Sequence, residues 1–297
     1  MRAELIATIV RMRERLALAR LRGRSVACVP TMGSLHAGHG ALIERARAAS
    51  DVVVVTIFVN PIQFDRSDDY EQYARRLDAD RGYCDARDVD IVFVPSAEEM
   101  YPEPIATFVE VPEFARHLCG AFRPGHFRGV ATVVAKLFNI IQPDTAYFGE
   151  KDAQQLAIIQ QMVRDLNFAV EIVPVPTVRE PDGLALSSRN RRLTPEQRRI
   201  APTLYRALTE GQRSIESGER QAAKVKAAVL NILESEPALR TEYVEIVDPR
   251  MQPVDSISAD VRLVAAVWVG STRLIDNLLC RTAELAEAPA PCDNELE

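Results

Sequence analysis

Two of the chain's four histidines, His36 and His39, stand three residues apart in Pro30-Thr31-Met32-Gly33-Ser34-Leu35-His36-Ala37-Gly38-His39. At the start of a helix that spacing puts both imidazoles on one face of the first turn. The free N–H groups and dipole of such a turn favour an anion. The pair therefore suits a phosphate that gains charge during substitution, with imidazole N–H donors aimed at its oxygens. A metal would need a third ligand, and no Cys or His at suitable spacing supplies one. A second candidate is Phe148-Gly149-Glu150-Lys151-Asp152. Lys151 is one of four lysines among 36 basic residues, and a flexible ammonium follows the charge of a polyphosphate. Asp152 has three readings: it orients a ribose hydroxyl, holds magnesium, or simply caps the following helix. In Leu186-Ser187-Ser188-Arg189-Asn190, two hydroxyls and a guanidinium form a phosphate clamp, although the same string serves as a polar linker. Asn60 and Gln63, in Phe58-Val59-Asn60-Pro61-Ile62-Gln63-Phe64, offer amides to a small polar or carboxylate-bearing molecule. His126 sits in a Gly-flanked basic loop that either covers a site or lies free on the surface. His117 reads as structural and Trp268 as core.

These residues need elements to place them. Glu4–Leu21 carries apolar residues at helical spacing among arginines and predicts an amphipathic helix ending at Gly23. Ser25–Val29 and Asp51–Val59 predict buried strands, the second β-branched without alternation, as when both faces are covered. Helices are expected over Ala41–Ala49, Tyr70–Asp85, Ala131–Ile141 and Ala153–Leu166, and strands over Val89–Val94, Asp144–Phe148 and Val170–Val175. This alternation implies an α/β fold, a Rossmann-like parallel sheet flanked by helices, spanning residues 1–183. Ligands bind such sheets beyond the carboxyl ends of the strands, where the motifs lie. After Arg189 the texture changes. Thr194-Pro195-Glu196-Gln197 predicts a capped helix start, helices follow through Ile232, and strands are expected over Glu242–Val247 and Arg262–Val269. Residues 184–282 thus read as a smaller α+β domain, and 283–297 as a frayed acidic tail.

The 297 residues are 47% hydrophobic and 26% charged, a composition that sustains a core and excludes disorder as the main state. A net charge of −6 argues against nucleic acid as a partner. The longest apolar run, Val52–Val59, is too short to span a membrane, and the N-terminus lacks a signal-peptide layout. Five cysteines (Cys28, Cys84, Cys119, Cys280 and Cys292) without a CxxC point to a reducing, cytoplasmic setting.

PTMGSLHAGH, IFVNPIQF, RPGHFRGVAT, FGEKDAQQ and LALSSRN stand in the order and spacing of the pantothenate synthetase (pantoate–β-alanine ligase) family. The chain resembles that family from about Val26 to Leu274-Ile275-Asp276-Asn277. The family belongs to the His-x-Gly-His nucleotidyl-transferring group, in which LSSRN is the mobile loop. The resemblance implies that ATP, with Mg2+, adenylates the carboxylate of pantoate and releases pyrophosphate. The amine of β-alanine then attacks the pantoyl-adenylate to give pantothenate and AMP. It also implies a cytoplasmic homodimer. Among the residues it implies for ATP, Met32, Gly33, Ser34, Leu35, His36, Ala37, Gly38 and His39 form one stretch, with His39 at the position of the proton donor. Gly149, Glu150, Lys151, Asp152, Val178, Leu186, Ser187, Ser188 and Arg189 match the remaining ATP contacts. Gln63 and Gln155 match the pantoate ligands, with Asn60 and Tyr73 as second contributors. Chemically, His36, His39 and Lys151 read as the catalytic set, all donors to phosphate, because an ionised carboxylate needs no general base. The chain departs from the family at Tyr73-Ala74-Arg75-Arg76, at Ser34 where Asn is more frequent, and at Leu186 where Met is common. Asp80 reads as a solvated carboxylate on a charged helix rather than a magnesium ligand. A nucleotidyltransferase acting on a phosphate ester would share the histidine turn but would not need Gln63 and Gln155.

Overall fold

Strand β1 (Glu4–Ile6) opens the chain where a helix is expected, and helix α1 (Ile9–Arg20) follows it. The reason is tertiary. β1 pairs in parallel with Ile91–Phe93 at the sheet edge and buries Ile6, while Thr8 caps the helix by accepting from the N–H of Arg11. The helical spacing survives from Ile9 onward, burying Met12, Leu16 and Ala19. This computed structural model describes residues 2–64, 70–71 and 76–282. Tyr73, Cys292 and the tail expected over 283–297 lie outside the described residues.

Alternating strands and helices then follow: β2 (Val26–Thr31), α2 (Ala37–Ala49), β3 (Val52–Ile57), α3 (Leu77–Asp85), β4 (Ile91–Phe93), α4 (His126–Ile141), β5 (Thr145–Gly149), α5 (Ala153–Asp165) and β6 (Glu171–Val175). The six-stranded sheet has the order β1-β4-β3-β2-β5-β6 and every pairing is parallel. All of β3 is buried. Successive strand side chains point to opposite faces, so Val52 and Val54 join α1, α4 and α5 in one core while Val53 and Val55 join α2 in another. The strand order reverses between β2, which leads to β3, and β5, which lies on its other side. That is the switch point at which open α/β sheets bind ligands. The histidine motif follows β2 and the Lys151 motif follows β5.

Beyond β6, the expected cap is present: Gln197 N–H donates to Thr194 Oγ1 at 3.3 Å and Thr194 N–H to Gln197 Oε1 at 3.0 Å. Helices α6 (Thr203–Glu216) and α7 (Ala222–Glu234) pack on an antiparallel sheet, β7 (Leu239–Val247), β8 (Val261–Val269) and β9 (Thr272–Cys280). The sequence pattern does not predict the third strand, because Arg273, Asp276 and Asn277 interrupt its apolar run. Trp268, expected in the core, is half-buried; its indole N–H donates to Glu242 at 2.8 Å. Val247 and Val264 of the second sheet, with Met251 from the loop between β7 and β8, enter the core of the first. Among the described residues, no helix is long and apolar enough to cross a membrane.

Candidate active site

The loop after β2 is held open from behind. Gly33 has φ +82°, and a Cβ there would stand 2.8 Å from a carboxylate oxygen of Asp80. Ser34 follows at φ 54°, a left-handed conformation that Asn would enter at lower cost. Asp80 accepts the N–H of Ser34 at 2.8 Å and of Leu35 at 2.7 Å. It is 3% exposed, which corrects its reading as a solvated carboxylate: it anchors the loop. Its helix is read as charged because Asp78, Arg81 and Asp85 surround it, and nothing in the pattern marks the one carboxylate that turns inward.

The loop delivers the two histidines as a reciprocal cap on α2. Gly38 N–H donates to His36 Nδ1 at 3.1 Å, and His36 N–H donates to His39 Nδ1 at 3.3 Å. A backbone N–H can only donate, so both Nδ1 atoms are acceptors and both protons sit on Nε2. The rings lie 4.1 Å apart, centre to centre. Burial pushes the His36 pKa down to about 4, with Lys151 and Arg191 adding to the effect. Burial and the neighbouring His36 push His39 down to about 3. At neutral pH the pair is two uncharged Nε2–H donors.

The facing wall comes from the turn after β5. Asp152 occupies the cap position of α5 but makes no capping hydrogen bond; its half-exposed carboxylate lies 3.7 Å from Lys151 Nζ. Val178 and Leu186 are joined in a hairpin by the Leu186 N–H to Val178 carbonyl bond of 3.0 Å, which brings Ser187, Ser188 and Arg189 to the rim. A cleft of about 970 Å³ runs between these walls, lined by Met32, His36, Gly38, His39, Gln63, Gly149, Lys151, Asp152, Gln155, Val178, Leu186, Ser187, Ser188 and Arg189. Four well-separated stretches of sequence thus meet in one space. Gly33, Ser34, Leu35, Ala37 and Glu150 do not line it; Glu150 instead faces Arg262 at 4.0 Å. Asn60, expected as a second substrate contact, is fully buried. Its amide donates to Gln63 Oε1 and to the Gly129 carbonyl, each at 3.1 Å, and its Oδ1 accepts from Tyr101 at 2.9 Å. Asn60 therefore holds Gln63 from behind. His126 supports the same turn: its Nδ1 lies 2.8 Å from the Gln63 carbonyl, which can only accept, so Nδ1 carries the proton.

A family model described as Pantoate-beta-alanine ligase matches residues 4–279. The chain belongs to this family. The pantothenate synthetase of Moorella thermoacetica is 54% identical over 277 residues, covering 93% of this chain and 98% of its own. That of Thermotoga neapolitana is 51% identical over 276 residues, covering 93% and 99%. Among solved structures, a pantothenate synthetase from Thermus thermophilus superposes with a TM-score of 0.88 at 48% identity, over 94% of this chain and 99% of that one. A pantoate–β-alanine ligase from Francisella tularensis, complexed with β-γ ATP and β-alanine, gives 0.78 at 34% identity, over 95% and 99%. The chain is accordingly a carbon–nitrogen ligase, and the family's reaction is the ATP-dependent condensation of pantoate with β-alanine to pantothenate. His36 and His39 line the cleft at the β2 end, Lys151 and Gln155 at the β5 end, and Gln63 at the 60–63 turn. Beyond the predicted residues, the ligase cleft also receives Arg123, His126, Trp268, Asp276 and Asn277. Arg123 and His126 stand in RPGHFRGVAT, so a motif marked that place in the sequence. Trp268 carried no such signal, because a lone tryptophan in a strand reads as core.

Proposed function

We propose that both half-reactions of the condensation run in this cleft. Gln63 and Gln155 hold pantoate, whose carboxylate attacks the α-phosphorus of ATP. The new P–O bond forms as the bond to pyrophosphate breaks, and pyrophosphate leaves. His36 and His39 donate Nε2–H bonds to the phosphate oxygens as charge builds there. Lys151 follows the β- and γ-phosphates, Ser187, Ser188 and Arg189 close over them, and Val178 lies beside the adenine. The neutral amine of β-alanine then attacks the acyl carbon, loses a proton and expels AMP.

Among the described residues no cluster of three His, Cys, Asp or Glu side chains could cage a metal. Magnesium needs none, since it binds through one or two carboxylates plus substrate phosphates and retains its waters. Asp152, uncapped and beside Lys151, fits that demand and would hold the ion. Bound there, magnesium would neutralise phosphate charge. The division into an ATP- and pantoate-binding unit (1–183) and a closing unit (184–282) belongs to the same reading. So do a cytoplasmic setting and a homodimer of twice 33.0 kDa. Sedimentation in the presence and absence of substrates tests the dimer.

The observation that carries the reading is the pair of Nε2–H donors that line the same cleft as Lys151. AMP release from pantoate, β-alanine, ATP and magnesium tests it. Turnover is expected to vanish when either pantoate or β-alanine is omitted; a folded, ATP-binding preparation without turnover overturns the reading. His39→Ala and Lys151→Ala are each expected to slow adenylation by ~10²–10³-fold, the usual effect of removing one transition-state donor.

A further inference from the structure

Strand β9 reaches across to the catalytic turn with one side chain. Asn277 is 5% exposed, and its amide donates to two successive carbonyls, Glu150 and Lys151, both at 2.9 Å. Its Oδ1 accepts from Arg262 at 2.5 Å. Every polar atom of that side chain is thus committed to fixing the main chain that carries Lys151. Its neighbour Asp276 grips a different loop. Asp276 pairs with both terminal nitrogens of Arg179, at 2.6 and 3.0 Å, and Arg179 donates in turn to the Gly183 carbonyl at 3.0 Å. Those contacts secure the hairpin in which Val178 meets Leu186. Asp276 Oδ1 also accepts the N–H of Asn277 at 2.8 Å, joining the two grips.

We infer that Asn277 is a positioning residue for nucleotide chemistry, fixing Lys151 against the 178–189 hairpin that its neighbour Asp276 secures. The inference rests on the nucleotide reading of the cleft given above. Only asparagine suits the place. Its short stem carries two donors to the two carbonyls and one acceptor to Arg262. Aspartate would oppose two carbonyl oxygens with a carboxylate, and alanine would leave both carbonyls unpaired. The second sheet thereby sets the distance between the ammonium that follows the phosphates and the loop that closes over them.

Asn277→Ala and the milder Asn277→Ser test this in the intact chain. Three readouts separate the roles: ATP affinity by calorimetry, pantoate-dependent ATP–pyrophosphate exchange, and single-turnover attack of β-alanine on enzyme-bound pantoyl-adenylate. Asn277→Ala is expected to weaken ATP binding and to slow exchange by about 10- to 100-fold, the effect of misplacing a group by about an ångström. Once pyrophosphate has left, Lys151 has less to hold. The β-alanine step and the pantoate KM should therefore stay within about threefold of the wild type. Asn277→Ser, which keeps one donor, should fall between. ATP binding and exchange within about threefold of the wild type in the alanine variant would overturn the inference, and so would equal losses in both half-reactions. If the alanine variant does not fold, the serine variant decides by the same criteria. A wild-type chain without pantoate-dependent exchange would instead refute the functional reading, while calorimetry with ATP would still report on Asn277.

Discussion

His36 and His39 owe their chemistry to the backbone of the turn that carries them. Because each Nδ1 is occupied by an N–H of the same turn, the cap that starts α2 also fixes the tautomer that faces the cleft. Burial keeps both rings neutral, with pKa values of about 4 and about 3 against an ordinary 6.5. The sign follows by linkage. Below 6.5 the unfolded chain takes up these protons and the folded chain does not, so the stability present above 6.5 is lost as pH falls toward 4. Proton NMR of the ligand-free protein should show two imidazoles that stay neutral between pH 8 and 5. A midpoint near 6 for either ring would mean that it binds phosphate as a cation rather than as a neutral donor. Asp80 makes a second expectation. Asp80→Ala leaves the N–H groups of Ser34 and Leu35 unpaired in a buried place, a cost of about 2–3 kcal/mol. Urea unfolding should show a lower midpoint with an unchanged slope. An unchanged midpoint would show that the loop does not depend on this anchor. The importance of Asp80 was not legible in the sequence, because inward and outward carboxylates on a charged helix look alike until the sheet is built.

Helix α4 and the 60–63 turn meet so closely that a glycine is required between them. A Cβ on Gly129 would stand 2.4 Å from the Ile62 carbonyl oxygen and 2.6 Å from Gln63 Cα. Gly129→Ala must therefore push the turn that carries Gln63, at a cost of about 1–3 kcal/mol for overpacking. The displacement falls on Gln63, proposed above to hold pantoate. The pantoate KM should rise about tenfold or more while the KM for ATP changes little. Equal rises in both would mean that the two walls move together. The strands and helices around this contact were largely legible, because their signals are local: the unbroken β-branched run of β3, the Gly and Pro punctuation, and the capping box at Thr194. Elements defined by distant partners were not. β1 is three residues at a sheet edge, indistinguishable by spacing from the helix that follows it. β9 hides behind Asp276 and Asn277, whose polar side chains face loops 97 and 126 residues away in sequence. The four motifs of the site were legible as strings and as strand ends. That Asn60 serves Gln63 rather than the cleft was not, since an amide's partners are set only by packing.

The cleft has walls from both sheets, which decides how the molecule should unfold. The second sheet has its own core, yet it is not free of the first. Val247, Met251 and Val264 are buried in the first core. Asn277 holds the turn after β5, and Arg250 and Gln252 bond to Glu113. Cys119 Sγ lies 3.2 Å from the hydroxyl of Tyr243. Two units with a thin, polar interface would melt separately. Here the junction is apolar in part, and freeing it would strand buried groups on both sides. The ligand-free chain is therefore expected to unfold in one calorimetric transition, with van't Hoff and calorimetric enthalpies in agreement. ATP at about 100 times its dissociation constant should add about 2.7 kcal/mol and raise that single midpoint, because the proposed nucleotide contacts come from loops on both sides of the junction. Asn277→Ala should reduce the ATP-induced rise more than it lowers the ligand-free midpoint. Two separate transitions, only one of them moved by ATP, would show that the cleft is closed by the ligand alone and not by strand β9.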